Sequence, residues 1–188
     1  MVIHIPHRSG LSNWPLRGAK EEVFEGGVRG VGLVHSPLSS RKGEVEEGIV
    51  YITDWMATIL SAASINVPGG LDSENLWPLL SKGGDSPRTE IILSLDQVQT
   101  FALEKETKTF VQDHEEGTWT AVLRRGKHKL IWGQEKLLLK ERNPEESCRQ
   151  QLYNLRVDPL EEQDLMERGH NRKIVGPMRQ TLMDAVKV

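Results

Sequence analysis

The stretch Ser12–Val34, SNWPLRGAKEEVFEGGVRGVGLV, runs from a glycine-dense, cation-bearing segment into apolar residues. Glycine tolerates tight turns and lets a ligand come close to the backbone. The apolar run Val28–His35, closed by Ser36 and Pro37, predicts a short buried strand. Lys20 follows Arg17 by three residues in a segment with no regular period. On a rigid loop its ammonium is a compact point charge suited to an anionic oxygen. The plainer reading of Lys20 is a solvated surface lysine. Arg29 reads foremost as a residue that stiffens the turn, through Glu25 or a neighbouring loop.

Downstream of this stretch, Ser39–Glu47 is a charged loop and Ile49–Ile52 a short strand. Thr53 or Asp54 can cap a helix with apolar residues Trp55, Met56, Ile59, Leu60 and Ala63 on one face. Asp72 or Ser73 starts a second helix, kept short by Pro78. Gly83–Gly84 breaks the chain, and Thr89–Leu95 is β-rich. Trp119–Arg124 and His128–Trp132 alternate around Arg125-Gly126-Lys127 and predict a hairpin. Leu152–Leu155 adds a strand, Asp158-Pro159 starts a turn or short helix, and Pro177–Val188 closes with a helix. Strands alternating with helices up to about Asp96 suggest an α/β unit over residues 1–96. Residues 97–188 suggest a small α+β unit, an antiparallel sheet covered by one helix.

The bulk numbers exclude several classes. The chain has 188 residues, enough for a real core, with 37% hydrophobic residues and five Trp. Net charge is -3, so nothing drives binding to a nucleic-acid backbone. No apolar run approaches the roughly 20 residues of a membrane span. Residues 1–10, MVIHIPHRSG, are too short and too interrupted for a signal peptide, and the chain reads as soluble and without an address. The sequence is silent on oligomeric state.

Other chemistry-bearing residues are weaker candidates. The glycines between Gly26 and Gly32 do not form G-x-G-x-x-G and lack a P-loop's Lys-Ser/Thr, which disfavours nucleotide binding. His4 and His7 form H-x-x-H with no nearby Cys or His to complete a tetrahedral zinc set. Asp54 suits a helix cap better than a metal. Cys148, the lone cysteine, has no base in its sequence context and reads as a plain thiol. Spacing by itself does not establish an enzyme.

Six segments in order resemble the sulfatases, specifically the arylsulfatase B type. They are S-N-W-P-L-R-G-x-K followed by E-G-G-V-R-G-V-G; I-T-D-W-M-A-T-I-L; L-D-S-E-N-L-W; S-P-R-T-E-I-I-L; L-R-R-G-K-H-K-L-I-W-G; and L-Y-N-L-R-V-D-P-L-E-E-Q-D-L. Ala57 stands where the family pattern has Pro, Ser73 where it has Gly, and His128 where it has an aromatic. The resemblance covers Gly10 to about Leu165.

The resemblance implies an α/β, alkaline-phosphatase-like sulfatase fold, here incomplete. Residues 1–96 would be the C-terminal part of the large domain and 97–188 the small C-terminal subdomain. It implies a sulfuric-ester hydrolase acting on sulfated carbohydrates or aryl sulfates, with calcium as the family's cofactor. It implies a lysosomal or secreted location. Lys20 matches the family's sulfate-contacting lysine and is the one site residue carried over. C-x-P-S-R, source of the formylglycine nucleophile, is absent from this sequence, and MVIHIPHR stands where the calcium-binding Asp-Asn pair belongs. The chain alone is therefore expected to be inactive, a truncated or glycan-binding product being the alternative. The helix Trp55–Ala63 is expected to expose apolar surface.

Overall fold

The structure, a computed structural model, describes residues 13–20, 22–97, 100–103, 110–113, 119–133, 149–168 and 171–186. Two compact units emerge, one from residues 1–29 with 92–188, the other from residues 30–91. This division departs from the expected single cut near Asp96. Residues 13–29 lie with the C-terminal sheet because Phe24 and Glu25 are buried there.

The first unit is built on a four-stranded sheet in the order β1-β4-β5-β6. The strands are β1 (Glu90–Gln97), β4 (Trp119–Arg125), β5 (His128–Gly133) and β6 (Arg149–Asn154). Two more strands, β2 (Thr100–Leu103) and β3 (Phe110–Asp113), pair antiparallel with Thr100 opposite Asp113. This pair falls where charges dominate the sequence and no strand is predicted. The β4–β5 hairpin has the expected place and turn: Arg125 pairs with His128, and Gly126 takes φ 53°, a conformation glycine adopts without Cβ strain. β5 and β6 are also antiparallel, with Leu130 opposite Leu152.

Alternation along these strands buries both faces of the sheet. Ala121, Leu123, Leu130, Trp132 and Leu152 meet Val175, Met178 and Leu182 of the helix α4 (Arg172–Val186). The terminal helix is thus present, beginning five residues before Pro177, which it incorporates. On the opposite face Val122, Ile131 and Tyr153 pack on Phe24. Burying that phenylalanine contributes about 1.5–3 kcal/mol. The predicted small sheet and its covering helix are both observed, and the second face is closed by the glycine-dense segment itself.

That segment is not a strand beyond Val28. A single helical turn, α1 (Glu25–Val28), replaces the start of the predicted strand, and the chain then runs irregularly. Val31 and Leu33 are almost fully exposed, at 103% and 87%. Ile49–Ile52 is likewise irregular rather than a strand. Neither segment gains the hydrogen-bonded neighbour that would make it part of a sheet.

The second unit holds α2 (Asp54–Ala62) and α3 (Trp77–Lys82). The predicted apolar face of α2 is not its buried face. Ala57 and Thr58 are buried, whereas Met56 and Ile59 are exposed. The buried side is chosen by polar contacts: Thr58 Oγ1 donates to Asp54 O at 2.7 Å and accepts from Leu76 N at 3.0 Å. Pro78 sits in the first turn of α3, where its missing N–H costs no helix bond. Gly83, at φ 85°, ends that helix. Among the described residues no helix is long and apolar enough to cross a membrane.

Candidate functional site

Lys20 lies exposed in a turn that its neighbours tie on both sides. Ala19 N–H donates to Glu22 Oε2 at 2.6 Å, and Glu22 N–H returns to Ala19 O at 2.9 Å. Asn13 Nδ2 donates to Gly26 O at 2.6 Å, and Gly26 N–H donates to Arg17 O at 2.6 Å, closing the loop across its base. Gly18 adopts φ 85° at the point where a Cβ would press on Phe24. The Trp14–Pro15 peptide is cis. The glycines and polar links together order the backbone of the turn that carries Lys20.

Arg17 is not a second free cation beside Lys20. Its guanidinium stacks on the Phe24 ring, 3.7 Å from the centroid, and one nitrogen donates to Tyr153 Oη and to Glu161 O, both at 3.0 Å. It staples the loop to the far end of the chain. Burial pushes the Tyr153 phenol up to about 12, against the opposing charge and hydrogen bond of Arg17. The Arg29 side chain is exposed; only its backbone N–H meets Glu25, donating to Glu25 O at 2.8 Å.

Beneath the loop is a buried charge node. Lys129 Nζ lies 3.0 Å from Glu25 Oε1 and 2.9 Å from Glu161 Oε1. Lys129 and Glu161 are fully buried and Glu25 nearly so. Glu161 Oε2 also accepts Glu25 N–H at 2.6 Å, while its Oε1 meets Lys129 as a charge contact without the alignment of a hydrogen bond. Burial raises the Glu161 pKa, more than the Lys129 charge and the Glu25 N–H lower it. The Glu161 backbone sits at φ 57°, a conformation that costs a non-glycine residue about 1–3 kcal/mol. Asp158 supports that turn by accepting from Glu162 N at 3.0 Å and Gln163 N at 2.9 Å.

A second node sits within the other unit. Asp54, fully buried, accepts from Arg88 Nε and Nη2, from Tyr51 N at 2.9 Å and from Glu74 N at 2.9 Å. Burial pushes its carboxyl up, but the Arg88 bonds and the two backbone donors outweigh it, and the pKa lies below the ordinary value. Asp54 is not a side-chain helix cap: Thr53 occupies the cap position without a side-chain bond.

These nodes explain what the sequence motifs are made of. Arg17, Glu25, Lys129, Tyr153 and Glu161 come from the first, fifth and sixth sulfatase-like segments. Asp54, Glu74 and Arg88 come from the second, third and fourth. Both nodes are structural joints, and neither Lys129 nor Glu161 stood out in the sequence. A lysine at an inward strand position, between His128 and Leu130, was the signal available for the first. Among the described residues no three His, Cys, Asp or Glu side chains converge to hold a metal. His4, His7 and Cys148 lie outside the described residues.

No family model matches the chain. Arylsulfatase J of Mus musculus is 46% identical over 96 residues, which are 50% of this chain and 16% of that relative. A putative sulfatase from Bacteroides thetaiotaomicron aligns over 71% of this chain and 24% of its own, at 20% identity and a TM-score of 0.44. A 2-O GAG sulfatase aligns over the same shares at 19% identity and 0.44. Neither structure reaches a TM-score of 0.5. The sulfatase resemblance carried by the motifs is therefore supported, across half of the chain, by a curated sulfatase of which this sequence spans about one sixth.

Proposed function

We propose that the chain is part of a sulfuric-ester hydrolase of the arylsulfatase B type, in which Lys20 contacts the sulfate group. The observation that carries this reading is the 46% identity to an arylsulfatase, together with an exposed lysine on a tied loop. Cleavage of a sulfate ester builds negative charge on the sulfuryl and leaving oxygens. A cation already fixed at that place stabilises the charge without reorganising during the reaction. The substrate class is a sulfated carbohydrate or aryl sulfate. The nucleophile motif C-x-P-S-R is not in this sequence, so hydrolysis belongs to a polypeptide that supplies it. No calcium-dependent step is assigned to the residues described.

The glycan-binding alternative loses strength because Arg17 is committed to Phe24, Tyr153 and Glu161. The test uses a full-length arylsulfatase relative with the equivalent lysine changed to alanine. Turnover of a chromogenic aryl sulfate should fall by about 10²–10³, the size of losing one preorganised charge-stabilising group. Turnover within a factor of two of the parent rejects the assignment. This chain alone should give no calcium-dependent hydrolysis of the same substrate.

A further inference from the structure

The node beneath the Lys20 loop has an unequal charge count. Two carboxylates, Glu25 and Glu161, share one ammonium, Lys129, where water does not reach. With both carboxylates ionised, the three groups carry one uncompensated negative charge. Isolated charge of this kind is costly in a protein interior. The surrounding groups do not cancel it directly. Arg17, from the loop, spends its guanidinium on Tyr153 Oη and the Glu161 backbone oxygen rather than on a carboxylate. Arg124, on β4, acts on Glu25 only through space, without an ion pair to either carboxylate among the contacts observed. Tyr153, on β6, stays neutral, and Asp164 adds negative charge on that side. Lys129 on β5 is the sole ammonium seen in contact with both carboxylates among the described residues.

The node also joins distant parts of the chain. Glu161 Oε2 takes the N–H of Glu25, at the first residue of α1, and Lys129 takes the Glu25 side chain. Any change in the charge of the node therefore acts on the point where the loop meets the sheet.

We propose that the Glu25–Lys129–Glu161 node is a proton-linked latch, which holds residues 13–29 on the sheet more firmly once it has taken up one proton. The proton neutralises the excess charge while leaving one carboxylate for Lys129 and an oxygen for Glu25 N–H. Burial, by raising the Glu161 pKa, favours that residue as the proton's seat. A carboxyl with a raised pKa in the folded state adds stability at low pH. That stability is fully present below the ordinary carboxylate pKa of about 4.3 and is lost as pH rises through the raised value. That the latch thereby steadies a sulfate-contacting group rests on the reading of Lys20; the latch itself does not.

Hydrogen exchange on the full chain tests the latch, read at the amides of Gly26, Gly27 and Val28 and corrected for intrinsic rates. Wild-type protection should rise on going from pH 8 to pH 4, approaching about tenfold for each unit that the folded pKa exceeds the unfolded one. Glu25→Gln, which balances Lys129 against a single carboxylate, should flatten the profile. Lys129→Met, which leaves two carboxylates and no ammonium, should steepen it. Flat wild-type protection, or an unchanged slope in Glu25→Gln, overturns the latch. If Glu25→Gln does not fold, the wild-type profile decides alone. Lys20→Ala should leave these profiles unchanged even if its counterpart proves irrelevant to turnover, so the two ideas fail separately.

Discussion

Arg88 and Asp54 form a forked pair across 34 residues, with Arg88 Nε donating to Asp54 Oδ2 at 2.8 Å and Nη2 donating to Oδ1. The aspartate side chain is fully buried and the arginine is 11% exposed. Arg88 Nη2 reaches Asp72 O at 3.2 Å as well, so one guanidinium ties α2 to the segment ahead of α3. Replacing Arg88 by Met strands a buried carboxylate. The expected loss is about 3–5 kcal/mol, and urea unfolding followed by tryptophan fluorescence measures it. A loss below about 1 kcal/mol would show that water reaches Asp54 readily.

The same pair sets an acid limit for residues 30–91. The Asp54 pKa is depressed in the folded state. Its contribution is therefore fully present above the ordinary carboxylate pKa of about 3.9 and is lost as pH falls through the lower folded value. Denaturant titrations between pH 6 and pH 2 should show this unit weakening with acid. Arg88→Met should remove most of that slope.

Ala57 and Ser73 are both departures from the family pattern, and they face each other. Ala57 N–H donates to Ser73 Oγ at 3.1 Å, a bond that neither proline at 57 nor glycine at 73 could make. Ser73→Ala should cost about 1 kcal/mol in the present chain. In an Ala57→Pro background the same change should cost nearly nothing. Additive losses in the double-mutant cycle would mean that the contact carries no energy.

The glycines of the E-G-G-V-R-G segment are not equivalent. A Cβ at Gly26 would collide with the backbone oxygens of Gly18 and Arg17, and one at Gly27 with those of Glu22 and Ala19. At Gly30 nothing lies within 4 Å. Gly26→Ala and Gly27→Ala should each cost roughly 3 kcal/mol or more, since the obstacles are backbone atoms that cannot rotate away. Gly30→Ala should stay within about 0.5 kcal/mol. Thermal unfolding of the three variants separates these outcomes.

Lys20→Ala should also leave stability within about 0.5 kcal/mol, as expected of an exposed side chain on a turn closed by its neighbours. A larger loss would give the lysine a structural role and weaken its functional reading.

What the sequence made legible follows from how local each signal is. The β4–β5 hairpin is legible because alternation and a glycine turn lie within fifteen consecutive residues. The end of α3 is legible at Gly83, but the helix starts at Trp77 rather than at Asp72 or Ser73, with Pro78 in its first turn. Val28–His35 has the composition of a strand, but composition cannot supply a neighbouring strand, and Val31 and Leu33 face solvent. The exposed apolar face of α2, with Met56 and Ile59, matches the expectation; what its sequence does not reveal is the buried polar side, where Thr58 and Asp54 find partners. Lys20 was legible as a cation on a constrained loop. The buried node beneath it was not, because Glu25 and Lys129 are 104 residues apart and Glu25 and Glu161 are 136.

Those long separations carry a consequence for synthesis. Tyr153 and Glu161, which anchor the loop through Arg17 and Glu25, are translated more than a hundred residues after it. The loop gains these anchors only once they have emerged from the ribosome. A premature stop codon ahead of Tyr153 would leave Lys20 on a turn with its local links but without the far partners of Arg17 and Glu25, so damage at the end of the message loosens the beginning of the protein.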